Sequence, residues 1–594
     1  MQTSIQWLDQ GQGKRIIQTL TFVIFIILFT WYHCAKRYNG PSSENIIEQA
    51  LIGKNLAEGK GFTSQVIYPQ AITTLKSHRS SFINKKQGIP DLYHPPIYPL
   101  VIAGGLKLIP PKIRQQIWET PTSGPLTVFS AFNGDNYLLI INIVFFWVTC
   151  FLTYYLAKRI FSKKAGLISI LSLLLSVGIW DRVLLVSGVP ILMSLLLLMF
   201  VLWCFLEEAR VEDSQTLKGK AYPWIGLGIG LIVGLLFLTE YTAGLVGIIF
   251  IGYCLAFIRG RALSLILAPT LLAFLLSISW WCLRNIELTE NPLALSWQNL
   301  PLKIGDPTAE PETFKNRLSS LPPEISIKKI LGKGLKEIEV NLTERIWSAG
   351  GYIFSGLFFA GCLYQFRYRG VNILRWMTVI TVFLLLLLQP FFNSGLSERL
   401  PAYYLSPLIA IFGSGFLLVL IESTKKRTEL QKLLITGSIL GIHSFPLIHN
   451  LSEPKRLPFH FPPYVPSLMA ITHNVIRQDD FIIMSDIPAG LAWYSQQSVW
   501  GQPAEYGDFQ KIFLQQEVGA LFLSPKTLDQ PFFSKLRYTG LKEQRSSNRS
   551  RYWGSVYEGL KEGHLPTYFP LKTTLQLHSN IYLLANPSAL KEFK

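Results

Sequence analysis

About eleven stretches of this chain are apolar over close to the length that crosses a bilayer, and no other feature restricts its fold as strongly. They lie near residues 16–33, 137–157, 165–180, 189–206, 222–239, 243–258, 263–283, 346–366, 374–391, 403–421 and 433–449. A helix needs roughly 20 apolar residues to cross the hydrocarbon core, with about 17 as a working minimum. Ile16 to Tyr32 and Tyr137 to Ala157 carry no charged residue at all. One such run suits the centre of a soluble core. This many predict a polytopic α-helical membrane protein of about 11 transmembrane helices. No small-residue cleavage site follows the first run, so it is expected to remain as a span.

The stretch from Pro96 to Pro110 is apolar but short, and it holds three prolines and two adjacent glycines. Runs of about 10–14 residues are more often interfacial than spanning. Charge supports the interfacial choice. With the N-terminus cytoplasmic, Lys14, Arg15, Lys158, Arg159, Lys163, Lys164, Arg210, Lys218, Lys220, Arg259, Arg261, Arg367, Arg369, Arg375, Lys425, Lys426, Arg427 and Lys432 all fall on the cytoplasmic side. The short loops opposite hold only Arg182 and Arg399. Counting Pro96 to Pro110 as a span inverts that bias, against the positive-inside rule. The net charge of +18 is then met by headgroups facing short cytoplasmic turns, and it excludes a nucleic-acid surface. The expected location is the cytoplasmic (inner) membrane, with membrane lipids as partners. Three long segments become exoplasmic or periplasmic: residues 34–136, residues 284–345, and everything after Asn450.

After Asn450 the pattern changes from long runs to short ones. Asp480 to Ser485, Gly519 to Ser524 and Asn580 to Ala585 read as strands; Ala489 to Ser495 and Phe509 to Gln516 read as helices. Alternating elements over this length predict a soluble exoplasmic α/β domain at 451–594, beside a membrane domain at 1–450. No Gly-rich phosphate loop follows its first strand. A structural or acceptor-recognition role is favoured over catalysis for it.

Candidate chemistry gathers on the exoplasmic side. Ile46, Ile47, Ala50, Leu51, Asn55 and Leu56 recur at helical spacing, predicting an amphipathic helix on the membrane surface with Glu44 in its first turn. There Glu44 reads either as a capping acid or as a general base lifted by partial desolvation. Tyr93-His94-Pro95-Pro96 presents His94 beside stiff backbone at headgroup height. Ser279-Trp-Trp-Cys-Leu-Arg284-Asn285 ends the seventh span, and Ser397-Glu398-Arg399 opens the tenth. Either arginine alone is an ordinary snorkelling residue; together with a histidine and an acid they suit an anion such as phosphate. The six cysteines lie in or beside apolar runs, so neither a disulfide framework nor a zinc pattern is expected. No metal site and no cofactor is indicated.

These segments resemble the GT-C membrane glycosyltransferases, in the branch of protein O-mannosyltransferases and bacterial aminoarabinose transferases. The likeness rests on ENIIEQALIGKNLAEGKGF after the first span, HPPIYPL, the glycine-rich WIGLGIGLIVGLLFLTEYTAG, SWWCLRNIELTENPL and SERLPAYYLSPLIA, in that order. It implies a GT-C fold and transfer of a sugar from a polyprenyl-phosphate-linked donor to a lipid, protein or glycan acceptor, with inversion at C1. It also implies Glu44 as the catalytic carboxylate and His94, Arg284 and Arg399 around the donor phosphate, supported by Glu48, Tyr93, Asp181, Glu240 and Asn285. The chain departs from the pattern in three places. The family's Asp is Glu44, followed by Asn45; Gly188 to Pro190 lack the family's acid, leaving Asp181 nearest; and Glu240 stands where an Arg is common. Two other classes fit less of the sequence. A lipid-linked-sugar transporter or flippase is expected to show repeats and midplane charges. An inactive relative would bind surface polymer through its tail.

Overall fold

A computed structural model describes residues 12–41, 43–78, 88–119, 132–216, 221–296, 315–318, 327–388, 391, 403–423, 428–453, 464–477, 481–529, 551–566, 569–578 and 580–591. Among these, seven helices are long and apolar enough to cross a membrane, or up to nine if each of two bent pairs is one span. The bent pairs are Lys163–Leu174 with Val177–Leu184, and Gly334–Ala349 with Ile353–Leu363. Of the remaining two expected spans, Tyr241–Phe257 is short. Glu429–Ser452 is long enough, but His443, Ser444 and His449 dilute its apolar character. The outer helices carry the lipid signature: of an 18-residue apolar window, only 17% is buried within the protein in Thr19–Arg37 and 11% in Arg261–Thr289, and Leu20, Leu28, Leu272 and Leu276 are each more than half exposed.

Small residues set the inner packing. Gly226, Gly230 and Gly234 repeat every fourth position on Tyr222–Thr239, and a Cβ at any of them would run into Ile266 O, Thr270 O or Ser277 Oγ of Arg261–Thr289. The two backbones therefore approach as closely as small-residue interfaces allow.

The segment from Pro96 forms a 12-residue helix, Ile97–Leu108, too short to span. An earlier helix of the same loop, Glu44–Ala57, corrects the expected surface amphipathic helix. Twelve of its 14 residues are buried, Glu44, Glu48, Gln49, Lys54 and Asn55 among them, because protein covers it on all sides. On one side Gly53 lets Ile102 and Pro99 of the short helix approach. On the other lies the tail.

The tail builds a six-stranded sheet in the order Val66–Ile67, Val499–Gly501, Ile482–Ser485, Val518–Leu523, Ile581–Ala585, Thr573–His578. The first four strands are parallel and the last two antiparallel. The parallel strands are almost wholly apolar and buried, as strands covered on both faces must be. One edge strand comes from the first loop, where Val66 pairs with Val499. Loop and tail therefore share one sheet across the expected domain boundary.

Candidate functional site

Strand order places Ile482–Ser485 between Val499–Gly501 and Val518–Leu523, so the carboxyl end of this strand is the switch point where parallel α/β sheets usually bind ligands. From that point the helix Pro488–Ser495 departs, its free N–H groups suited to an anion. Here the anion is Glu44. Its Oε2 accepts from Ala489 N at 2.8 Å, and its Oε1 from Gly490 N at 3.2 Å and Tyr464 Oη at 2.5 Å. Lys54 donates to Gln496 just past the same helix. Asp135, fully buried in the first turn of Asn133–Ile160, accepts from Trp493 Nε1 at 2.8 Å and Tyr494 Oη at 3.1 Å. Two buried carboxylates thus clamp one tail helix onto the membrane part.

One turn after Glu44, Glu48 faces a different neighbourhood. Lys315 Nζ lies 2.9 Å from its Oε2, His94 Nε2 lies 3.2 Å from the same atom, and Tyr68 Oη donates to Oε1. His94 Nδ1 meets Asp91 Oδ1 at 2.9 Å, and Asp91 Oδ2 accepts from the backbone of Tyr93 and His94. The Lys315 ammonium lies 4.9 Å from the ring centres of both Tyr68 and Tyr93. Glu48, Asp91, His94 and Lys315 are each at most 8% exposed, a chain of alternating charge sealed from water.

Arg284 stands beside this chain. Its Nη2 donates to Phe62 O at 3.2 Å and Asp91 O at 2.9 Å, its Nη1 to Asn285 Oδ1 at 2.9 Å. The guanidinium lies 4.7 Å from the Trp281 ring centre and 5.0 Å from that of Phe62. Among the described residues, no carboxylate forms an ion pair with it, and it is half-buried at the end of Arg261–Thr289. The expected residues Glu48, Tyr93, His94, Arg284 and Asn285 are therefore brought together. Glu44 lies one turn away at the tail, and Glu240 is buried next to Tyr241, whose hydroxyl accepts from Trp281 Nε1. Asp181 is elsewhere, beside Arg182 and Arg37. Arg399 lies outside the described residues. Sequence reading missed Lys315, Asp91 and Tyr68. Asp91 sat only two residues ahead of the Tyr93-His94-Pro95-Pro96 motif, whereas the stretch around Lys315 has no periodicity to mark it.

Burial disfavours each of these charges, and pairing decides the outcome. Burial pushes the Glu48 carboxyl up, but Lys315 and then His94 hold it well below the usual carboxylate range. Asp91 is likewise held low by His94 against burial. Burial pushes His94 down, yet Asp91 and Glu48 hold it up to about 9. Burial lifts Glu44 above its ordinary value, against the pull of Lys526, Tyr464 and the Ala489 N–H. For His94 the folded value exceeds the unfolded one, so its contribution is complete below about 6.5 and is lost as pH rises through about 9. That limb amounts to on the order of 3 kcal/mol. Thermal midpoints of the full chain in detergent should fall faster between pH 7 and 9 in the wild type than in His94→Gln; equal slopes would remove His94 from the account. Among the described residues, no group of three or more His, Cys, Asp or Glu could hold a metal ion.

No protein-family profile matches this chain, and no curated protein matches its sequence. It is similar in structure to ArnT from Cupriavidus metallidurans bound to undecaprenyl phosphate, at 12% identity over 96% of this chain and 98% of that one, with a TM-score of 0.49. It is also similar to the archaeal oligosaccharyltransferase AglB from Archaeoglobus fulgidus, in complex with an inhibitory peptide and a dolichol-phosphate, at 10% identity over 86% and 70% of the two chains, TM-score 0.48. At these identities and scores, the reaction must be read from the residues of this chain.

Proposed function

We propose that this chain is a membrane glycosyltransferase that takes a sugar from a polyprenyl-phosphate-linked donor at the place where the first loop meets the bilayer. The observation that carries this reading is Arg284: a guanidinium with no carboxylate partner among the described residues, at the end of an apolar helix and against a buried charge chain. A lipid phosphate is the complementary ligand, because its tail suits the apolar helix and its oxygens suit the guanidinium fork. His94 and Lys315 already face carboxylates and are neutralised by them, which leaves Arg284 as the cation suited to the phosphate.

Transfer makes a bond from the acceptor oxygen or nitrogen to C1 and breaks the bond from C1 to the phosphate oxygen, which leaves with the electron pair. Arg284 meets that developing charge. The acceptor's proton needs a carboxylate, and Glu48 suits this role better than Glu44. Both Glu44 oxygens are held by Tyr464 and the tail backbone, and Asp91 is held by its own loop. The strongest partner of Glu48 is Lys315, carried on a separate segment. Withdrawal of Lys315 would remove the largest of the influences that hold Glu48 low, moving the carboxyl upward toward a useful base. The donor sugar and the acceptor are open, and an inverting outcome follows from direct displacement.

The test uses the purified full chain in nanodiscs carrying polyprenyl phosphate, with retained lipid counted by native mass spectrometry. The wild type should retain it, and Arg284→Ala at least about tenfold less. Adding a radiolabelled polyprenyl-phosphate sugar with membrane extract should yield labelled product. No lipid retention would overturn the proposal, as would movement of lipid between leaflets with no product.

A further inference from the structure

The helix Asn133–Ile160 runs from the tail to the opposite end of the bundle. Asp135 in its first turn holds the tail, and the ring of Phe161 just past its last turn lies 5.3 Å from that of Phe366. A helix of 28 residues puts these two places about 40 Å apart. At the far end lies a cavity of about 760 Å³ whose lining includes Gln365, Arg367, Arg369, Asn372, Arg375 and Trp376.

Arg375 is the unexplained residue there. It is only 6% exposed, yet its Nε and Nη1 have no hydrogen-bond partner among the described residues. The nearby acid Glu207, which lies against Gly370, is already engaged by Arg210 at 2.6 Å and by Tyr253 Oη at 2.6 Å. The Trp376 ring, 5.0 Å from the guanidinium, attracts the charge but satisfies none of its donors. A buried cation with orphaned donors is costly unless something supplies the missing acceptors. Arg367 and Arg369 are exposed and line the same cavity. Asn372 fixes the loop by bonding both N and O of Phe366, so the arginines are presented on a shaped turn.

We propose that this cavity binds an anionic phosphate group, with Arg375 as the buried anchor and Arg367 and Arg369 at its rim. Paired N–H donors of a guanidinium match phosphate oxygens, and three arginines offset the group's charge. The site is independent of sugar transfer and lies on the side where the positive residues of the short loops collect. A phosphate reaches that face either on a phospholipid headgroup or on a soluble molecule.

The experiment separates the two sources. The full chain in phosphatidylcholine nanodiscs is titrated with inorganic pyrophosphate while its thermal midpoint is followed; in parallel, phosphatidylglycerol is mixed into the discs and retained lipid is counted by native mass spectrometry. The wild type should bind at least one probe, and Arg375→Gln at least about tenfold less tightly. The surface pair Arg367→Gln with Arg369→Gln, which threatens no core packing, should weaken the same probe several-fold. Saturable pyrophosphate binding assigns a soluble ligand, and retention of phosphatidylglycerol alone assigns a lipid. Wild-type binding of neither probe, or unchanged binding by Arg375→Gln, would overturn the site.

Discussion

Glu48→Gln is expected to slow sugar transfer by about 10²- to 10⁴-fold, the usual worth of a positioned base. The substitution keeps the volume and the contact with Tyr68, but removes the charge that Lys315 and His94 face. Donor retention should stay close to that of the wild type, because Arg284 binds neither Glu48 nor its partners through a side-chain carboxylate. The measurement is single-turnover transfer at saturating labelled donor, with donor occupancy read in parallel. Glu44→Gln run beside it is the discriminating control. If Glu48→Gln transfers normally, or if a folded Glu44→Gln loses transfer, the base is not Glu48, and the second outcome assigns the role to Glu44.

Glu44→Ala is expected to act on stability instead. It strands the N–H groups of Ala489 and Gly490 and the Tyr464 hydroxyl in a buried setting. An orphaned buried donor costs about 1–3 kcal/mol, so the docking of the tail should weaken by roughly 3–5 kcal/mol. Local opening should precede loss of the spans. Hydrogen exchange over Ser485 to Ser495 should accelerate by two orders of magnitude or more, while the helix Val189–Thr216 keeps its protection. Unchanged exchange in the tail helix would show that Glu44 does not hold it.

The parts legible in the sequence were those encoded by local periodicity. The apolar runs became helices at their expected places, and Ile482–Ser485, Val518–Leu523 and Ile581–Ala585 appeared as strands within a residue or two. The short strand Val499–Gly501 and the polar alternation of Thr573–His578 were not read, since neither is long or apolar enough to announce itself. The burial of Glu44–Ala57 was hidden for a different reason. Its polar residues suggested an open face, but that face is complementary to a tail 445 positions away. Lys315 was invisible on the same grounds, because its only signal is its partner Glu48. Local chemistry named several members of the cluster; only folding showed which acid faces the cations and which faces a helix.

The strand Val66–Ile67 has a consequence for how the protein is made. It enters the sheet through Val499, a segment translated long after the first loop. Until those later residues emerge, the early loop lacks its sheet neighbour, and Glu44 lacks the helix it clamps. The nascent chain thus carries an unpaired strand and an unmet carboxylate through most of its synthesis. Completion of the C-terminal segment is itself the step that closes this sheet and seats the clamp, so premature termination leaves both without their counterpart.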